Sequence, residues 1–309
     1  MERKRGLFVG MTTLDCLYQV ARSPAANEKV TAHKSLLVSG GPATNAAVAF
    51  AQLGASKGNQ AVLLSIIGTH PLTALLREDL QGQGVILADL APERISPPPV
   101  SSIMVTSATG DRAVVASNAV DMQAQANQVS PDILDAVDIV LIDGHQMAVS
   151  AQIAEWARSK DILVVVDGGS WKPNFDRVLP YADVVVASAN FHPPGCSTPV
   201  AVFDYLKGLG VSRIAITQGA SPILYEGPNG SGEIDIPKVR AVDTLGAGDI
   251  FHGAFCHFYL THTFEEALLK ASRSASFACQ YWGTRDWTKI YRLDDILSES
   301  DDADDAPDA

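Results

Sequence analysis

Cysteine is scarce in this chain of 309 residues: there are four, Cys16, Cys196, Cys256 and Cys279, and no two of them form a C-x-x-C pair. That scatter argues against a disulfide framework or a zinc site and points to a reducing compartment, the cytoplasm. The seven histidines likewise show no metal-ligand spacing. No apolar run is long enough to span a bilayer. The run after the charged start, Met1-Glu2-Arg3-Lys4-Arg5, is only of strand length, too short for a signal-peptide core. Charged residues are few, 19% against 47% hydrophobic, which excludes a disordered body. Positive charge is in deficit, with a formal net charge of −12, and this argues against nucleic acid as a partner. Much of the negative excess crowds into Glu299, Asp301, Asp302, Asp304, Asp305 and Asp308. A run that repels itself and buries almost nothing predicts a disordered acidic tail over 298–309, leaving 1–297 as one domain.

What the chain has in quantity is short apolar runs rich in Val and Ile: Leu7 to Gly10, Val62 to Ile67, Ile139 to Ile142, Ile162 to Val166, Val184 to Ala187 and Ile214 to Thr217. Each reads as a buried strand. Helix signals fall between them. Ser130-Pro131 offers a cap followed by proline, and Thr263 with Glu266 makes a capping box opening a helix to about Gln280. The alternation predicts an α/β fold with a mainly parallel central sheet covered by helices on both faces. Two stretches, about 15–39 and 99–117, hold strand candidates without helices between them and predict a small antiparallel β lid. Thr109-Gly110-Asp111 is its turn, and Pro97-Pro98-Pro99 is a stiff connector into its second piece.

The strongest local signal for chemistry is Asp243-Thr244-Leu245-Gly246-Ala247-Gly248-Asp249, followed by an apolar helix candidate. Gly246, Ala247 and Gly248 can present successive backbone N–H groups to an anion with no side chain in the way, at the positive end of that helix. Asp249 opens the helix, where a carboxylate is expected to stay ionised and serve as a general base. An anion cradle beside a base suits phosphoryl transfer. Walker A, G-x-x-x-x-G-K-[ST], is absent, so a P-loop kinase is excluded. A second stretch, Ser39-Gly40-Gly41-Pro42-Ala43-Thr44-Asn45, places paired glycines before a helix running to about Leu53, and Asp15 follows the end of the first strand.

The stretch ending in Asp249 resembles the D-T-x-G-A-G-D signature of the ribokinase/PfkB carbohydrate kinases at every fixed position, and the one at Gly40 is similar to that family's G-G-x-x-x-N signature. The resemblance runs to about Leu297 and implies a ribokinase-like three-layer sandwich. It also implies ATP and Mg2+, a cytoplasmic sugar kinase acting on a terminal hydroxymethyl group, and a homodimer formed through the β lid; a monovalent cation is left open. It makes Asp249 the catalytic base and Gly246, Ala247 and Gly248 the anion hole. Asp15, Gly40, Gly41, Asn45 and Arg112 become sugar contacts; Lys172, Thr217, Gly219, Ser272 and Gly283 become nucleotide contacts. Ala271, Ala275 and Ala278 share a helix face with Ser272, where small residues admit adenine in the family. Val242 to Asp249 resembles ketohexokinases and His252-Gly253-Ala254 resembles sulfofructose kinases, which implies a ketohexose-type substrate. A ribose, nucleoside or 2-keto-3-deoxygluconate kinase and a catalytically silent sugar- or nucleotide-binding relative are the alternatives. His252 and His257 are taken as packing residues or as supports behind the site.

The departures from the pattern are specific. The family's N-x-x-E element, linked to magnesium and phosphate, falls at Ser188 to Phe191 with neither residue present, so the metal-holding residues are left unassigned. Pro222 replaces the last glycine of the nucleotide loop that begins at Thr217, Pro42 stands where ketohexokinases carry asparagine, and Trp282-Gly283-Thr284-Arg285 keeps only the glycine of its turn.

Overall fold

The computed structural model describes residues 3–117 and 122–291; the expected acidic tail lies outside the described residues. In chain order the elements are β1 (Arg5–Val9), β2 (Thr13–Val20), β3 (Lys34–Gly40), α1 (Pro42–Leu53), β4 (Gln60–Ser65), α2 (Thr73–Gly82), β5 (Val85–Asp89), β6 (Val100–Thr106) and β7 (Arg112–Ala116). After them come β8 (Ile139–Ile142), α3 (Met147–Ser159), β9 (Leu163–Gly168), β10 (Val184–Ser188), α4 (Pro199–Gly208), β11 (Arg213–Gln218), β12 (Ser221–Gly227), β13 (Gly230–Ile234), α5 (Ala247–Tyr259) and α6 (Phe264–Ala278).

All six apolar runs singled out in the sequence lie in one sheet, ordered β13-β12-β11-β10-β9-β8-β1-β4-β5. Its strands pair in parallel except at the β11-β12-β13 end. The central strands are apolar on both faces because each face has a core. Leu7 and Val9 of β1 join Val149 and Val202 of α3 and α4, whereas Phe8 joins Ala46, Leu76, Phe255 and Leu268 of α1, α2, α5 and α6. A period of two along the strand thus feeds two layers.

The lid is a separate sheet, β3-β2-β6-β7. Its outer pairings, β2 with β3 and β6 with β7, are antiparallel, and β2 with β6 in the middle is parallel. Gly110 takes the turn between β6 and β7 at φ +72°. One face of the lid, with Leu17, Val38, Ile103 and Val105, packs on Trp282 of the body. The capping box at Thr263 forms as expected, with Thr263 Oγ1 accepting from Glu266 N at 3.3 Å and Thr263 N donating to Glu266 Oε2 at 2.9 Å. The Ser130-Pro131 signal opens only a single 3-10 turn, Pro131–Leu134, and Ala136 just beyond it stands at φ +58°.

Candidate active site

β1 has β4 on one side and β8 on the other, so the chain reverses its direction of travel across the sheet at β1. Open α/β sheets form a crevice at such a point. Asp143, just past β8, closes its floor. One carboxylate oxygen accepts from Met11 N at 2.9 Å and Ala43 N at 3.1 Å, the other from His145 N at 2.8 Å. These bonds bind the ends of β1, α1 and β8 together; the His145 side chain first, then the Met11 N–H and the charge of Lys172, hold the Asp143 carboxyl below the usual carboxylate range despite its burial.

Helices α1 and α5 meet closely at Gly253, where a Cβ would stand 2.1 Å from Ala46 O. The close approach sets Asn45 of α1 beside Asp249 of α5, and Asn45 Nδ2 donates to Asp249 Oδ2 at 2.8 Å. Gly246 precedes α5 at φ +70°, and a Cβ there would meet Thr284 Cγ2 at 2.9 Å. Ala247 N turns back to Thr244 O at 3.3 Å. The N–H groups of Gly248 and Asp249 belong to the first turn, which has no intrahelical acceptors for them, and both residues line the crevice. At Gly248 a Cβ would meet only open space.

Burial, and then the neighbouring carboxylate of Asp167, push the Asp249 carboxyl up to about 7; the Asn45 bond and the charge of His252 oppose the rise. The expectation of a carboxylate kept fully ionised by the helix terminus is therefore corrected: desolvation outweighs the dipole here. His252 follows one turn later on α5, with Nδ1 2.7 Å from Gly248 O and Nε2 3.1 Å from Val186 O. His252 Nδ1 also lies 3.5 Å from Asp167 Oδ2, so this histidine supports the site from behind. His257 is remote from it, buried against Phe50, with its pKa depressed to about 4 by that burial.

The crevice, of about 350 Å³, also contains Lys172, Ser188 and Thr217. Lys172 Nζ donates to Asp143 O at 3.3 Å and Thr217 Oγ1 to Ala187 O at 3.3 Å. Gly219 makes the β11–β12 turn at φ +65°, and Gln218 Nε2 bonds Pro222 O at 2.9 Å, so the turn closes with proline in place.

Under the lid, Asp15 is buried on β2 and accepts from Thr13 Oγ1 at 2.7 Å. Burial raises its pKa, against hydrogen bonds from Thr13 and Ser101 and the charge of Arg285. Gly40 lies directly beneath it: a Cβ there would fall 1.9 Å from Asp15 Oδ2. Gly41, at φ +99°, would put a Cβ 2.4 Å from Met11 O. Arg112 reaches from the lid to Thr244, with Nη1 3.0 Å from its Oγ1.

Two expected nucleotide contacts stand elsewhere. Ser272 is buried with Ala271, Ala275 and Ala278, and its hydroxyl bonds Leu269 O at 2.8 Å. Their small side chains accompany close packing of α6 on α5. Gly283 sits under Leu17 and Leu36 of the lid and donates to Asp243 Oδ2 at 2.9 Å. Asp243 itself staples two turns, since its other oxygen accepts from Leu245 N at 2.9 Å.

Sequence reasoning missed Asp143 and Arg285. Asp143 had one available signal, its place just past the carboxyl end of a buried strand. Arg285 had none, because its partners are far away in the chain.

The sequence profile of the "pfkB family carbohydrate kinase" group matches residues 4–289. Ribokinase from Bacillus subtilis is 26% identical over 283 residues, covering 90% of this chain and 93% of that protein. Among solved structures, Arabidopsis thaliana ribokinase complexed with ribose and ATP superposes with a TM-score of 0.73 at 21% identity, covering 92% of this chain and 94% of that one. An Escherichia coli protein described as a candidate ribokinase II, in complex with ATP and Mg2+, gives 0.78 at 18% identity, covering 96% and 98%. The profile runs through both sheets, the crevice and the lid, and this chain belongs to the pfkB family of carbohydrate kinases.

Proposed function

We propose that the protein transfers the γ-phosphoryl group of ATP to the terminal hydroxymethyl group of a ribose-type furanose, with Asp249 as the general base. The observation that carries this reading is one crevice in which a base with a pKa near neutrality adjoins the free N–H groups of a helix terminus and a lysine. With Asn45 on one oxygen, the other oxygen of Asp249 is left to take the hydroxyl proton. The sugar oxygen then bonds to the γ-phosphorus as the bond from phosphorus to the ADP oxygen breaks. The N–H groups of Gly248 and Asp249 bear the charge on the transferring group, and Lys172 lies along the phosphates. Thr217 on the crevice, with Gly219 in the turn that follows it, is assigned to the nucleotide, and Asp15, Gly40 and Gly41 are assigned to the sugar.

Among the described residues no cluster of three or more metal-binding side chains exists. Mg2+ would come with the nucleotide, and Asp167, a carboxylate on the crevice, is the residue that would hold it there through water. The ion would neutralise charge on the phosphates.

Relatives named ribokinase favour ribose, whereas Val242 to Asp249 favours a ketohexose. A panel of D-ribose, 2-deoxyribose, D-fructose, sulfofructose, 2-keto-3-deoxygluconate and adenosine with ATP and Mg2+ decides between them by kcat/KM. Ribose is expected to lead. A tenfold lead for fructose would replace the sugar and keep the kinase, and no acceptor-dependent ADP at all would leave a binding relative.

We also propose that the lid packs against a second copy. Its outer face carries Cys16, Tyr18, Leu37, Met104 and Val115, and Leu37 and Val115 are 54% and 69% exposed. Apolar side chains on a sheet this small call for cover.

A further inference from the structure

Both ends of the buried Asn45 amide are engaged inside the protein. Nδ2 donates to Asp249 Oδ2 at 2.8 Å, and Oδ1 accepts from Arg285 Nη1 at 3.0 Å. The two ends of an amide are nearly alike in shape, so sterics alone permit either setting. Chemistry removes that freedom, because a guanidinium only donates and an ionised carboxylate only accepts. The reversed amide would set N–H against N–H at one end and oxygen against oxygen at the other. We infer that Arg285 is a positioning residue for phosphoryl transfer: it dictates which way Asn45 faces, and Asn45 then holds one oxygen of Asp249 so that the other meets the sugar hydroxyl. This rests on the reading of Asp249 as the base.

Arg285 cannot turn away from the task. It is 5% exposed, and its Nη2 donates to Ser39 O at 2.6 Å and lies 3.3 Å from Asp79 Oδ2. Its Nη1 also meets Thr284 Oγ1 at 3.0 Å. Burial lowers the pKa of the guanidinium, against the opposing pull of the carboxylates of Asp79, Asp15 and Asp249. Asp249 is faced by Asp167 of β9 and Asp143 just past β8, which disfavour its ionisation, by His252 from its own helix, which favours it, and by the charge of Arg285 itself; Lys172 shares the crevice. The Asn45 donor works on the same side as His252. An amide released from Arg285 is free to reverse, and the base then takes up its proton at higher pH.

Arg285→Met removes the donors, and adding Asp79→Asn removes the charge of the half-buried carboxylate that pairs with it. With Mg2+-ATP and whichever of D-ribose and D-fructose is turned over faster, this pair should lower kcat about tenfold, leave KM for the sugar within about threefold, and move the acid limb of kcat upward. In an Asn45→Ala background the same pair should change kcat by less than about twofold, because the amide through which Arg285 acts is gone. Equal fold losses in both backgrounds, or a raised KM with an unmoved acid limb, overturn the inference. Arg285→Lys keeps a donor and should restore most of the limb; Arg285→Gln with Asp79→Asn, uncharged and too short to reach the amide, carries the cycle if the Met variant does not melt cooperatively. Asp249→Asn is assayed alongside. Full activity there ends the base assignment, whereas inactivity there with additive Arg285 effects ends only the positioning role.

Discussion

Asp249 sits under opposing influences: its helix terminus, Asn45 and His252 favour the anion, while burial and Asp167 favour the acid. The balance near 7 suits a group that must accept a proton from a hydroxyl and later release it. Asp249→Asn is expected to cost ~10²–10⁴ in kcat with nucleotide binding retained. In the wild type, the raised pKa places the loss of activity on the acid side: kcat should climb as pH rises through about 7 and level off above it. A profile already flat from pH 5 would contradict the raised value. Asp249, Gly246 and Gly41 were legible in the sequence because each requirement is local: a carboxylate at a helix start, or a glycine where φ is positive and a Cβ has no room. The ionisation of Asp249 was not legible, since a dipole is visible in a motif and burial is not. Arg285 was invisible for a related reason, its bond to Asn45 spanning 240 residues of chain.

At the scale of elements, the contact of α1 with α5 is what turns two separate motifs into one site. Gly253→Val would drive a side chain into Ala46 O, where even a Cβ stands at 2.1 Å. The helices must part, so stability should fall by roughly 3 kcal/mol, the upper part of the range for overpacking. Thermal melting reads the loss, and kcat should fall with it because Asn45 withdraws from Asp249. An unchanged Tm would show that the helices separate at no cost. The strands were readable because those in the middle of the sheet are apolar on both faces, a pattern that survives without knowledge of partners. The order of lid strands was not, since alternation in β2 and β6 gives their faces but says nothing of their parallel pairing. Likewise, the serine-proline signal at 130–131 marks a start and carries no information on length, and only one 3-10 turn follows it.

Across the whole molecule, two sheets share one chain, and only the larger has both faces covered by helices. The lid's inner face is held by Trp282, while its outer face carries Leu37 and Val115. Sedimentation should therefore give a dimer at micromolar concentration, and Leu37→Asp with Val115→Lys should give a monomer with weakened sugar binding. A fully active wild-type monomer would refute the pairing. Among the described residues no helix is long and apolar enough to cross a membrane. The Arg112 bond to Thr244 joins this sheet to the loop that carries Gly246 and leads into the anion cradle. Any swing of the lid away from the body has to break this bond, so displacement of the sheet and displacement of the loop ahead of α5 are coupled. On the proposed reading, the covering of one reactant and the seating of the other are a single mechanical event.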